Sequence, residues 1–171
     1  KTLNSLQDIL KDIQERRFSP VYFLMGAESY FIDRIEKELY QSVVSVEERA
    51  FNQTILYGKD TTVDQILYAA KRFPVMAEYQ LVIVREAQEL SRVIDQLESY
   101  VSNPQLSTIL VFCYKYKSID KRKKLYKTLQ QYAVLFESKQ LYENQIPDWI
   151  QGWVKNKKRT INLKASHLLV E

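Results

Sequence analysis

The sequence predicts an α/β fold: a five-stranded parallel sheet with helices on both faces. Two observations carry this prediction. Val21-Tyr22-Phe23-Leu24-Met25, Leu81-Val82-Ile83-Val84 and Thr108-Ile109-Leu110-Val111-Phe112-Cys113 are short, continuously apolar runs, the pattern of strands buried on both faces of a parallel sheet. Segments with apolar residues at helical spacing separate them. Strands alternating with helices of this length build βαβ units with right-handed crossovers.

Taken in order, Leu3, Leu6, Ile9, Leu10 and Ile13 mark an amphipathic helix ending near Arg16-Arg17, and Pro20 introduces the first strand. Gly26-Ala27-Glu28-Ser29 follows at once, and Phe31, Ile35 and Leu39 give the next helix face. Arg49 to Tyr57 reads as a less buried strand closed by Gly58-Lys59-Asp60. Thr61 or Thr62 caps a helix carrying Val63, Ile66, Leu67 and Ala70 at i, i+3, i+4, i+7. After the Leu81 strand, Ser91 is expected to start a helix with Val93, Ile94, Leu97 and Val101 inward, stopped by Asn103-Pro104. The Thr108 strand leads to a helix carrying the Lys121 to Lys124 cluster, with Leu125 and Leu129 inward. Ala133 to Glu137 is the fifth strand. Beyond Lys139 the pattern changes: Pro147 suits a helix start, Ile146, Trp149, Ile150, Trp153 and Val154 form a wide apolar face, and Leu163, Leu168 and Leu169 belong to a second helix. Residues 1–143 are therefore expected to form the α/β domain and 144–171 the beginning of a helical domain.

The 171 residues are 46% hydrophobic and 27% charged, an ordinary globular mixture. No apolar run approaches the roughly 20 residues of a transmembrane helix, and the N-terminus lacks a signal-peptide pattern. Cys113 is the only cysteine, which fits a reducing compartment; a cytoplasmic location is expected. The chain starts at Lys1 and stops at Glu171 inside a helical pattern, so it reads as a piece of a longer protein.

Three stretches are candidate sites. In Arg72-Phe73-Pro74-Val75-Met76, Pro74 closes a helical pattern and leaves Phe73, Val75 and Met76 in a connecting loop, where apolar side chains are least expected. They either fold back onto the core or meet a partner. The Gly26-Ala27-Glu28 turn lies where a phosphate-binding loop would lie. It fails that chemistry: one glycine, no Gly-Lys-Ser/Thr and no G-x-G-x-x-G leave too few convergent amides, and Glu28 would repel an incoming phosphate. Finally, Lys115, Lys117, Lys121, Arg122, Lys123, Lys124 and Lys127 crowd together opposed only by Asp120, and Lys155, Lys157, Lys158 and Arg159 make a second group. Such clusters face either solvent or nucleic-acid phosphates.

Recognisable catalytic sets are missing. His167 is the only histidine and lies far along the chain from Cys113, no paired Cys/His spacing suggests zinc, and no G-x-S-x-G occurs. Glu47-Glu48 and Glu86 with Glu89 read as exposed polar surface. No catalytic residues, metal or cofactor are expected, and weight shifts toward a binding or mechanical role.

Taken together, Pro20 to Ile32, Arg72 to Ala87, Thr108 to Lys127 and Ile146 to Ile150 resemble the delta subunit of the bacterial DNA polymerase III clamp loader. Each motif alone is weak; their order and spacing make the combination specific. The resemblance implies a degenerate P-loop NTPase domain of AAA+ type that has lost its nucleotide-binding motifs, followed by the start of a helical lid, with the third, collar-forming domain absent. It also implies a noncatalytic subunit of the polymerase holoenzyme that binds the sliding clamp (the beta subunit) and favours its open form for loading onto primed DNA. In the family a pair of apolar residues just before a core strand makes the clamp contact. Val75 and Met76 fall at that position, with Phe73 and Pro74 shaping the turn. The family is usually bulkier at the second position, so the register of the pair stays open. The Lys115 to Lys124 cations would face DNA phosphates in the assembled loader. The partners implied are the clamp, the other loader subunits and, through them, primed DNA; no membrane or small-molecule substrate is implied. The alternatives are a basic nucleic-acid-binding domain acting without a clamp and an atypical P-loop nucleotide hydrolase. The delta-prime relative usually carries a cysteine-rich zinc module, which this chain lacks.

Overall fold

The computed structural model describes residues 5–139. The expected helical domain 144–171 lies outside the described residues, as do the Lys155 to Arg159 group and His167. Five strands, β1 (Val21–Gly26), β2 (Gln53–Tyr57), β3 (Gln80–Arg85), β4 (Thr108–Lys115) and β5 (Val134–Ser138), form one sheet in the order β2-β3-β4-β1-β5. Every pairing is parallel.

The apolar runs are continuous because alternate side chains enter different cores. Val21, Phe23 and Met25 pack on one face of the sheet with Val82, Val84, Leu110, Phe112 and Leu135. Tyr22 and Leu24 pack on the other with Leu81, Ile83, Ile109, Val111 and Cys113. Helices α1 (Leu6–Gln14) and α2 (Ser29–Ser42) cover the second face through Ile9, Ile13, Ile32, Ile35 and Leu39. Opposite them lie α4 (Val63–Ala70), α5 (Glu98–Ser102) and α6 (Lys124–Tyr132), which contribute Val63, Ile66, Tyr100, Val101, Leu125 and Leu129. The four-residue α3 (Arg49–Asn52) immediately precedes β2. Thr62, not Thr61, caps α4, accepting from the Gln65 amide at 3.2 Å. Among the described residues no helix is long and apolar enough to cross a membrane.

Three local expectations are corrected. Arg49 to Asn52 is helical rather than strand: Ser45 and Glu48 close a capping box that begins a helical turn, and α3 continues it. The expected helix from Ser91 is instead a 3-10 turn, Ile94–Leu97, running into the short α5, with another 3-10 turn, Ala87–Leu90, just before it. Ile94, Leu97 and Val101 are buried as the spacing requires and Val93 is half-buried against the same core, but 3-10 turns satisfy an i, i+3 pattern as well as an α-helix does. Lys121 to Lys123 precede α6 rather than ride on it, because the Asp120 carboxylate accepts the Arg122 amide at 2.8 Å and holds a turn there.

Candidate partner-binding loop

Residues 71–79 join α4 to the start of β3, at the edge of the sheet where the strands begin. Their apolar side chains do not fold back: Phe73 is 76% exposed, Val75 52% and Met76 97%. Exposed apolar side chains in a tight group are the usual mark of an interaction surface. Met76 also has φ 53°, a left-handed conformation that costs an L-residue about 1–2 kcal/mol.

Polar side chains hold this loop, with Asn52, Gln80 and Thr108 buried and Gln105 half-buried. Asn52, 2% exposed, reaches it with both ends of its amide: Nδ2 donates to the Val75 carbonyl at 2.9 Å and Oδ1 accepts the Val75 amide at 2.6 Å. At the end of α4, where carbonyls lack intrahelical partners, Gln80 Nε2 donates to the Ala69 carbonyl at 3.0 Å and to Thr108 Oγ1 at 2.8 Å, and it also meets the Arg72 carbonyl. Thr108 Oγ1 donates to the Ala70 carbonyl at 2.6 Å, and Gln105 Nε2 to that of Arg72 at 2.6 Å. Tyr79 closes the loop with an edge-on contact to Phe18, ring centres 5.4 Å apart. The apolar group thus projects from a tethered turn. Sequence reading found the projecting residues but missed Asn52, Gln80, Gln105 and Thr108. The one available signal was Gln80, a polar residue abutting the apolar strand run.

The Gly26 turn lies at the opposite edge, beyond the C-terminal end of β1. Its amides are already committed. Gly26 N–H donates to the Lys117 carbonyl at 3.1 Å, Ala27 N–H to the Ser138 carbonyl at 3.1 Å, and Glu28 N–H to Ser138 Oγ at 3.1 Å. These three groups would have to converge on a phosphate, and they are spent on the end of β5 and on the loop after β4. Glu28 is buried, and burial raises its carboxyl pKa, partly offset by the Tyr30 amide.

Where the strands end, Arg85 Nε donates to Glu36 at 2.5 Å and Lys115 Nζ pairs with Asp33 at 2.6 Å around a cavity of about 280 Å³. Open α/β sheets receive ligands at this edge; here ion pairs occupy it. Burial opposes the charge on both cations, but their carboxylates more than offset it and raise both pKa values. Cys113 is buried, and burial pushes its thiol well above its usual range, the environment of a structural cysteine.

Four of the other predicted cations also meet carboxylates. Lys121 meets Glu137 at 3.8 Å, Arg122 meets Asp120 at 2.8 Å, Lys123 meets Asp95 at 2.9 Å and Lys124 meets Glu98 at 3.8 Å. Asp120 is not the sole acid opposing this run, since Asp33, Asp95, Glu98 and Glu137 arrive from elsewhere in the chain. Lys117 contributes its carbonyl to the Gly26 turn.

Strand order, all-parallel pairing and the turn from β1 into α2 define an AAA+-like α/β domain. The chain belongs to the DNA polymerase III delta subunit family, whose model, described as "DNA polymerase III, delta subunit", matches residues 22–139. DNA polymerase III subunit delta of Bacillus subtilis is 30% identical over 172 residues, covering 95% of this chain and 50% of the relative. The chain therefore spans about half the length of this relative. The solved structure of the Bacillus subtilis DNA clamp loader delta protein superposes with a TM-score of 0.77 at 29% identity, over 90% of this chain and 48% of that one. A DNA polymerase III gamma subunit-related protein from Thermotoga maritima shares the fold, with a TM-score of 0.55 at 13% identity over 90% of this chain and 50% of that one.

Proposed function

We propose that this chain is the clamp-binding part of a noncatalytic clamp-loader subunit, acting in the cytoplasm within the DNA polymerase III holoenzyme. Its loop would engage the sliding clamp and favour the open ring for loading onto primed DNA. The observation that carries this reading is the tethered exposure of Val75 and Met76, with Phe73 and Pro74 shaping the turn. A small apolar plug entering a pocket makes a typical hot spot, where losing one side chain costs about 2 kcal/mol or more.

The committed amides of the Gly26, Ala27 and Glu28 turn support a subunit without nucleotide chemistry of its own and weigh against the P-loop hydrolase alternative. Contacts to DNA phosphates by Lys115, Lys117, Lys121, Arg122, Lys123 and Lys124 remain part of the proposal for the assembled loader. Pairing of five of these cations with carboxylates argues against DNA binding as the chain's independent activity.

The test is binding of the full-length subunit to its cognate sliding clamp, comparing the parent with a Val75→Ala/Met76→Ala variant whose fold is checked by circular dichroism. The parent is expected to bind, and the folded variant to lose about 30-fold or more in affinity, the equivalent of about 2 kcal/mol. Equal binding by the two proteins would remove the loop from the interface; no binding by the parent would remove the clamp.

A further inference from the structure

We propose that Asn52 is a positioning residue that holds Val75 and Met76 in their partner-ready conformation before any partner arrives. This inference rests on the clamp-binding reading for its consequence, though not for its geometry. The strained element is Met76, which is almost fully exposed at φ 53°. Nothing about an exposed side chain pins a backbone in the left-handed region, and such a conformation persists only where its surroundings over-determine it.

Asn52 supplies that constraint from 23 residues away, at the end of α3. Its amide pairs with Val75 as a neighbouring strand would, donating to the carbonyl and accepting from the N–H of one residue. No smaller side chain reaches both groups, and only a carboxamide offers a donor and an acceptor side by side in the ionisation state found at neutral pH. The Asn52 side chain is 2% exposed although Val75 is half-exposed, so the pairing is partly shielded from water. The residue it grips precedes the strained one, so fixing the two peptide planes that flank the Val75 Cα directs the chain into the left-handed turn. A loop already in its bound conformation binds without a loss for the unpopulated fraction. The three remaining tethers, Gln80, Thr108 and Gln105, grip only residues up to Arg72, which leaves the plug itself to Asn52.

The experiment uses the full-length subunit as parent, Asn52→Ala, Asn52→Asp and, as a stability control, the core variant Ile13→Val. Amide hydrogen exchange at Val75 and clamp affinity are measured on each. In Asn52→Ala, exchange at Val75 is expected to rise at least tenfold relative to core amides such as Ile83, and clamp affinity to fall about 5- to 30-fold, mainly in the association rate. Asn52→Asp keeps an acceptor for the Val75 N–H and is expected to fall between parent and Asn52→Ala. Ile13→Val is expected to bind as the parent does despite its lower melting temperature. Unchanged exchange at Val75 in both Asn52 variants overturns the proposal, as does an affinity loss in Ile13→Val matching that of Asn52→Ala. If Asn52→Ala does not fold, Asn52→Asp decides through the same two readouts. Should the parent itself not bind the clamp, the functional reading fails, while exchange at Val75 still judges the tether.

Discussion

Replacing Gly26 by alanine tests whether the turn after β1 is closed by its own fold. Gly26 has φ 123°, and a Cβ built there lies 2.1 Å from the Ser138 carbonyl oxygen and 2.7 Å from Ser138 N and Oγ. The first two are backbone atoms of the sheet's edge strand, so no side-chain rotation relieves the contact. The unfavourable φ costs about 1–3 kcal/mol, and forcing Ser138 aside costs about 1–3 kcal/mol as overpacking does elsewhere. Displacing Ser138 also loosens the bonds it accepts from Ala27 and Glu28. A loss of about 3 kcal/mol or more follows, or a melting temperature about 10 °C lower for a protein of this size. Thermal unfolding by circular dichroism measures it. ATP added at millimolar concentration should not raise the melting temperature of either protein, because a ligand stabilises only the state that binds it. A Gly26→Ala variant within about 0.5 kcal/mol of the parent, or a melting temperature that climbs with ATP, would refute the account of a self-filled turn.

Two further outcomes are expected. The raised pKa of Glu28 means its folded state favours the protonated carboxyl, so its contribution is fully favourable below the ordinary value of 4.5 and is lost as pH rises through the folded value. Glu28→Gln should therefore be more stable than the parent at pH 7, with the gain vanishing below pH 4.5 in urea unfolding; a gain that persists there would assign it to something other than ionisation. For DNA, freeing Arg122 and Lys123 by Asp120→Asn and Asp95→Asn should steepen the slope of log affinity against log salt by up to about 0.9 each. Lys123→Ala in the parent should leave the slope nearly unchanged. A drop of about 1 from Lys123→Ala alone would show that the Asp95 pair does not withhold that charge.

The sheet was legible in the residues because burial on both faces writes a continuous apolar run that few other structures share. Val21 to Met25, Leu81 to Val84 and Thr108 to Cys113 all became strands. Pieces governed by local hydrogen bonding were less legible. Arg49 to Asn52 turns helical through a capping box whose Ser45 and Glu48 lie outside the segment, and Ser91 onward gives a 3-10 turn and the short α5, which keep Ile94, Leu97 and Val101 buried. The projecting loop could be located because Phe73, Val75 and Met76 are apolar where a connection should be polar. What fixes it could not: Asn52 lies 23 residues upstream and its partner is a backbone peptide, which leaves no complementary side chain to notice. The same limit applied to the basic run, whose neutralising carboxylates Asp33, Asp95, Glu98 and Glu137 come from elements brought together only by the fold.

A parallel sheet has two unlike edges, and this chain treats them oppositely. At the C-terminal ends of the strands, where open α/β folds take ligands, the amides are spent on Ser138 and Lys117 and the charges on the Arg85–Glu36 and Lys115–Asp33 pairs. At the N-terminal ends, which the fold leaves free of such chemistry, polar side chains that could have been replaced by packing residues are buried to hold an apolar turn outward. Burying Asn52 and Gln80 contributes little net stability, since each hydrogen bond replaces one to water. Their arrangement is better explained by the geometry they impose than by the energy they add. A rigid β-strand of six residues, β3, follows directly from the loop they tether. The loop is therefore joined directly to an interior strand, paired on one side with β2 and on the other with β4, which suits a subunit whose proposed work on its partner is mechanical.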